Sequence, residues 1–144
     1  MTDEFLERPQ VSLALAQRLV TAAVAQGEAE GVPVSVAVTD ASGNLIAAAR
    51  MDAAPLGALR LATDKAYTAA LWQMPSGDLH DSSQPGGADW GVTSTEGGRV
   101  VVYAGGFPIF NDSGLAGAIG VSGGTAEQDA ACAQAALRAA LPSE

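Results

Sequence analysis

The residues best suited to chemistry are a lone lysine, an arginine and two acids. Lys65 is the only lysine in the chain, Arg99 follows Glu96 by three positions, and Asp52 closes an apolar run. An ammonium and a guanidinium can hold a carboxylate, the guanidinium in bidentate fashion. They can also stabilise an enolate-like charge. Glu96 is then the proton-transfer candidate, with Asp52 second. Both acids read equally well as solvated residues at the ends of elements. Thr68 and Trp72 share a helical face with Leu61 and Lys65, at i, i+4, i+7 and i+11. That face is either one wall of a ligand pocket, with Lys65 as anion anchor, or a solvated or subunit-facing stripe.

These side chains need elements to position them. Ser12 can cap a first helix running through Leu13, Ala16, Leu19, Val20, Ala23 and Val24, closed by Gly31 and Pro33. Residues 1–11 read as a loose arm. Val34, Val36 and Val38 alternate as a half-buried strand. The stretch 40–44 is a turn in which Asp40 bonds its own backbone, and residues 45–51 return as the partner strand. After Pro55 the spacing predicts a helix from about residue 56 to 72, with Leu59, Ala62, Ala66 and Ala69 on its sheet-packing face. Residues 75–96 show no periodicity, and loops this long are usually functional or disordered. Trp90 argues for an ordered loop that covers a pocket or a subunit boundary.

The apolar runs at 100–104 and 115–121 are strand-length, with a kink at Gly105-Gly106 and a hairpin at 111–114 between them. Phe107 opens a short apolar piece after the kink. Gly117 and Gly120 sit inside a strand, where glycine marks close approach of a ligand or of a neighbouring helix. Thr125 and Gln128 have capping-box spacing and start a last helix over about 126–141. No dinucleotide fingerprint is present in the glycines. With 144 residues, no internal repeat and no linker, one domain over 1–144 is expected.

Composition excludes several classes. Sixteen Asp and Glu against seven Lys and Arg give a net charge of −9, so a phosphate backbone or an anionic membrane surface is repelled. No stretch approaches a transmembrane span. The acidic start lacks an apolar signal core, so a cytoplasmic protein is expected, and the acceptor spacing Asn111-Asp112-Ser113 reads as chance. Cys132 is the only cysteine, so neither an internal disulfide nor a cysteine metal cluster is expected. His80 is the only histidine, and nothing around it resembles a nucleophile motif.

Several of these stretches together resemble the GlcG/HbpS-like heme-binding family, which includes the C-terminal domain of PduO-type adenosyltransferases. They are Gly97-Gly98-Arg99-Val100-Val101, Gly105-Gly106-Phe107-Pro108-Ile109, Gly117 to Gly124 and Thr125-Ala126-Glu127-Gln128-Asp129. Val36 to Asp40 with Gly43, Arg50-Met51-Asp52 and Lys65-Ala66-Tyr67-Thr68-Ala69 fit the same pattern. The similarity covers roughly residues 12 to 141. The resemblance implies an α/β (α+β) domain: a single, profilin-like antiparallel sheet of about five strands flanked by helices, in the order helix-strand-strand-helix-loop-strands-helix. It also implies a homo-oligomer, often an octamer. Some members bind heme through a histidine of the first helix. Here residues 12–27 hold none, which leaves His80 as the imidazole ligand and a Thr or Tyr oxygen, Met51 or Met74 as weaker ones.

Two functions stay open. One is a homo-oligomeric binding protein for heme or another flat anionic ligand, accessory to a catabolic or biosynthetic pathway. Thr68, Trp72, Trp90, Gly105, Gly106 and Phe107 would line its site, with Lys65 and Arg99 on the ligand's carboxylates. The other is a small enzyme without cofactor, a lyase, isomerase or hydratase on a carboxylate substrate, using Lys65, Glu96 and Arg99.

Overall fold

The computed structural model describes residues 4–142. Three helices flank one antiparallel sheet of four strands: α1 (Leu13–Glu30), β1 (Ser35–Asp40), β2 (Leu45–Arg50), α2 (Ala58–Trp72), β3 (Gly106–Asn111), β4 (Gly114–Ser122) and α3 (Ala126–Ala140). The strand order is β2-β1-β4-β3. This is the α+β domain expected, with one strand fewer.

The two central strands are buried on both faces, and their alternation assigns each face its helices. Val36 and Val38 of β1, with Ile119 and Val121 of β4, join Leu19 and Ala23 of α1 and Ala133 and Ala136 of α3 in the main core. The opposite face carries small residues. Ala118 packs against Ala66, Ala69 and Ala70 of α2. Gly120 lies between Ala37 and Gly106 in register, and a Cβ there would collide with the Ala62 carbonyl. Its glycine therefore serves the close approach of a helix. At Gly117, on the other face, a Cβ would meet Val11 and the Thr39 carbonyl.

Of the arm expected over 1–11, residues 1–3 lie outside the described residues. Its last member is fixed: Val11 is buried and donates its N–H to the Ala116 carbonyl. Ser12 caps α1 by accepting the Leu15 N–H at 3.1 Å, and Gly31 ends it in the left-handed region. Thr125 and Gln128 form the reciprocal capping box of α3. Each such cap contributes about 1 kcal/mol.

The run 100–104 is not a strand, and the chain bends at Tyr103 and Ala104. Val100 and Val102 turn inward onto Leu79, with Met74 and Val92 beside them. The Val101 N–H goes to Thr68 Oγ1 at 3.0 Å, and the Tyr103 carbonyl accepts from Ser76 Oγ at 2.6 Å. Side chains thus satisfy the backbone groups that a neighbouring strand would have used. Pairing with β4 begins only at Gly105, whose carbonyl accepts the Val121 N–H.

Candidate functional site

The region between α2 and β3 holds three short 3-10 turns, Ser76–Leu79, Val92–Ser94 and Glu96–Gly98. Two hydroxyls of its surroundings pin it down. Thr68 Oγ1 ties Val101 to α2, while Ser76 Oγ accepts the Gly106 N–H at 2.9 Å as it donates to Tyr103. The long stretch is therefore a built wall along α2, with its own small apolar core.

One end of this wall carries a connected polar cluster. The Arg99 guanidinium lies over the Tyr67 ring, 3.7 Å from the centroid, and its Nε–H donates to Asp64 Oδ1 at 3.1 Å. The Tyr67 hydroxyl donates to Glu96 Oε2 at 2.9 Å, which pushes the phenol's pKa above its ordinary value. Gly43, at the β1–β2 turn, closes on the same ring. Glu96 itself has φ 53°, a left-handed conformation costly for a residue with a side chain. A groove of about 670 Å³ opens beside the cluster, between the N-terminal half of α2 and Gly97 to Arg99.

The chain from the end of α2 to β3 also carries the imidazole and three exposed aromatic side chains. The His80 side chain is 52% exposed, and its Nδ1 sits 3.1 Å from Asp81 Oδ1. With Nδ1–H donated to that carboxylate, Nε2 is left as the open nitrogen. Leu71, Trp72, Tyr103 and Trp90, the last 66% exposed, are large apolar side chains on the same α2-to-β3 region.

A model of the family described as "Haem degrading protein HbpS-like" matches residues 11–138. The chain belongs to the HbpS-like family. It is 39% identical over 122 residues to the corrinoid adenosyltransferase PduO of Salmonella typhimurium, which covers 85% of this chain but 36% of PduO. The chain thus spans about a third of that relative's length. The crystal structure of Klebsiella pneumoniae protein ORFY superposes with a TM-score of 0.94 at 30% identity, over 96% of both chains. That of a PduOC:heme complex superposes with 0.87 at 38% identity, over 90% of this chain and 94% of the other.

Within this HbpS-like fold the residues singled out in the sequence separate into several groups. Glu96 and Arg99 come together through Tyr67, and Asp52 is an exposed turn residue after β2. Trp72, at the end of α2, and Trp90, ten positions after His80, are both exposed.

Lys65 does not present an anion anchor. It is 1% exposed, points through the helix–sheet interface, and donates to the Val121 carbonyl at 3.0 Å and to Asp129 Oδ2 at 2.9 Å. Burial pulls its pKa below the ordinary value, and the hydrogen bond and charge of Asp129 work against that. Its helical neighbour Thr68 is likewise spent on internal bonds.

Gly105 and Gly106 bring backbone close to protein rather than to a ligand. A Cβ at Gly105 would meet the Val121 carbonyl and the Lys65 side chain, and one at Gly106 the Lys65 carbonyl and Ser76. Phe107 pairs with Ile119 and packs on the α1–α3 side of the sheet, away from α2. Among the weaker iron ligands, Met51 Sδ already accepts the Val34 N–H at 3.2 Å, and Met74 is half-buried against the Leu79 core.

Sequence reasoning missed Asp64, Tyr67 and Asp129. Asp64 and Tyr67 are one turn apart on α2, the spacing of a helical pair, and this was the available signal. Asp129 carried none, because its partner is 64 positions away.

Proposed function

We propose that this chain is a homo-oligomeric heme-binding protein, accessory to a catabolic or biosynthetic pathway. The observation that carries the reading is the 38% identity to the protein of the PduOC:heme complex over nearly the full length of both chains. The residues present fit such a ligand. His80 has one ring nitrogen engaged by a carboxylate and the other open, the arrangement that orients an imidazole toward a metal. Trp72, Tyr103 and Trp90 supply flat apolar surface in the same region.

His80 would hold the iron through Nε2, with Asp81 fixing the tautomer. The aromatic side chains would cover the macrocycle and keep water from it. When bound, heme supplies an iron whose ligand exchange and potential are set by the axial ligand and the polarity around it. The exposed Leu71, Trp72 and Trp90 also favour assembly, since a second copy can cover them and close the site. The octamer that the resemblance implies is the assembly we assign.

Light scattering on the purified protein, with and without hemin, tests both parts. A single oligomeric species taking up hemin saturably supports the reading. A monomer, with hemin absorbance unchanged by the protein, overturns it.

A further inference from the structure

The lining of the groove beside Arg99 includes neither His80 nor Trp72, Trp90 or Tyr103. From Arg60 to Trp72 the helix rises about 18 Å, and the groove follows only its first half. We propose that this groove binds a compact dicarboxylate with an aliphatic middle, at a site of its own.

Three features converge on that ligand class. First, the groove gathers two of the seven Lys and Arg side chains of a chain with net charge −9. Arg99 uses Nε on Asp64, and its plane is held by stacking on Tyr67. Its terminal amino groups make no bond among the described residues, so an oriented fork remains for a carboxylate. Arg60 forms no ion pair among the described residues and offers a second guanidinium from one turn earlier on α2.

Second, the facing wall is a turn held in a costly shape. Glu96, Gly97 and Gly98 have φ of 53°, 65° and 84° in succession. A Cβ at either glycine would meet nothing, so the backbone demands the glycines and packing does not. Strain of this kind collects at ligand clamps. Here the Tyr67–Glu96 bond holds the turn in place and leaves a side-chain-free wall opposite α2.

Third, Leu56 lines the same groove at 86% exposure, with Leu59 beside it. Two guanidiniums with leucine at the groove wall match two carboxylates joined by methylenes. Asp64, the groove's own carboxylate, is neutralised by Arg99 and accepts a hydroxyl if the ligand carries one.

The experiment is calorimetric titration of glutarate, acetate and inorganic phosphate into the full chain, wild type and variants, with hemin uptake run in parallel. Wild type should bind glutarate saturably, with acetate and phosphate weaker by about tenfold or more. Arg99→Lys keeps the charge but loses the fork, and should weaken glutarate by about tenfold. Leu56→Glu, at an exposed position that leaves the fold alone, should abolish binding. Leu56→Glu should take up hemin as wild type does, so failure of the heme reading and failure of this one are separate results. No glutarate heat at millimolar concentration, glutarate binding unchanged in both variants, or phosphate binding as tightly as glutarate would each overturn the proposal.

Discussion

Lys65 and Asp129 form an ion pair at 2.9 Å with both side chains almost wholly out of water. The pair joins α2 to α3 across the end of β4. Asp129 Oδ1 also accepts the Gly124 N–H at 2.8 Å, so the carboxylate is fully engaged. Removing one partner leaves an uncompensated buried charge. Lys65→Ala is expected to cost about 3–5 kcal/mol in denaturant unfolding, and Asp129→Ala about as much. The pKa of Lys65 is lowered, so the unfolded chain binds more protons near the ordinary lysine value of 10.5. The stability tied to this group is therefore present above that value and lost as pH falls through the folded one. Lys65→Met should flatten that part of the pH profile; a variant with wild-type stability would contradict the assignment.

Gly120 should tolerate no side chain, although its backbone is ordinary strand. Gly120→Ala pushes α2 off the sheet at Ala62 and is expected to lose about 1–3 kcal/mol or more. An unchanged denaturation midpoint would contradict the packing described.

Cys132 is buried between α1 and α3, where its thiol donates to the Ala23 carbonyl at 3.3 Å. Burial pushes its pKa up to about 11. At neutral pH roughly one molecule in ten thousand then carries a thiolate. Native protein should resist iodoacetamide, and unfolded protein should label fully. Rapid stoichiometric labelling of the native chain would show that the thiol is open.

The fate of these residues shows what a sequence can carry. Local chemistry was legible: the Ser12 cap, the Thr125–Gln128 box, the Asp40 turn and the small sheet-facing side of α2 all rest on neighbours within a few positions. The strand expected at 100–104 failed because its backbone is satisfied by Thr68 and Ser76, hydroxyls 33 and 27 positions away. Lys65 failed for the same reason. A lone lysine on a mixed helical face looks available until its partner, on another helix, is known. Phe107 fell on the far side of the sheet because register, which sets strand parity, depends on where pairing starts.

The Tyr67 phenol should titrate above the ordinary value of 10.0, chiefly because its hydroxyl donates a hydrogen bond to Glu96. In the folded state, that contact's contribution is complete below the ordinary value and fades as pH rises through the raised one. Glu96→Gln should bring the phenolate absorbance transition down toward the ordinary value. An identical transition in the variant would mean that the bond is not formed in solution.

The most direct test of the heme reading is a hemin titration followed by absorbance, on wild type and His80→Ala side by side. A saturable Soret shift in wild type that is lost in the variant is the expected result. A shift of equal size and affinity in His80→Ala would place the iron on another residue. No shift in wild type would remove heme from the function altogether.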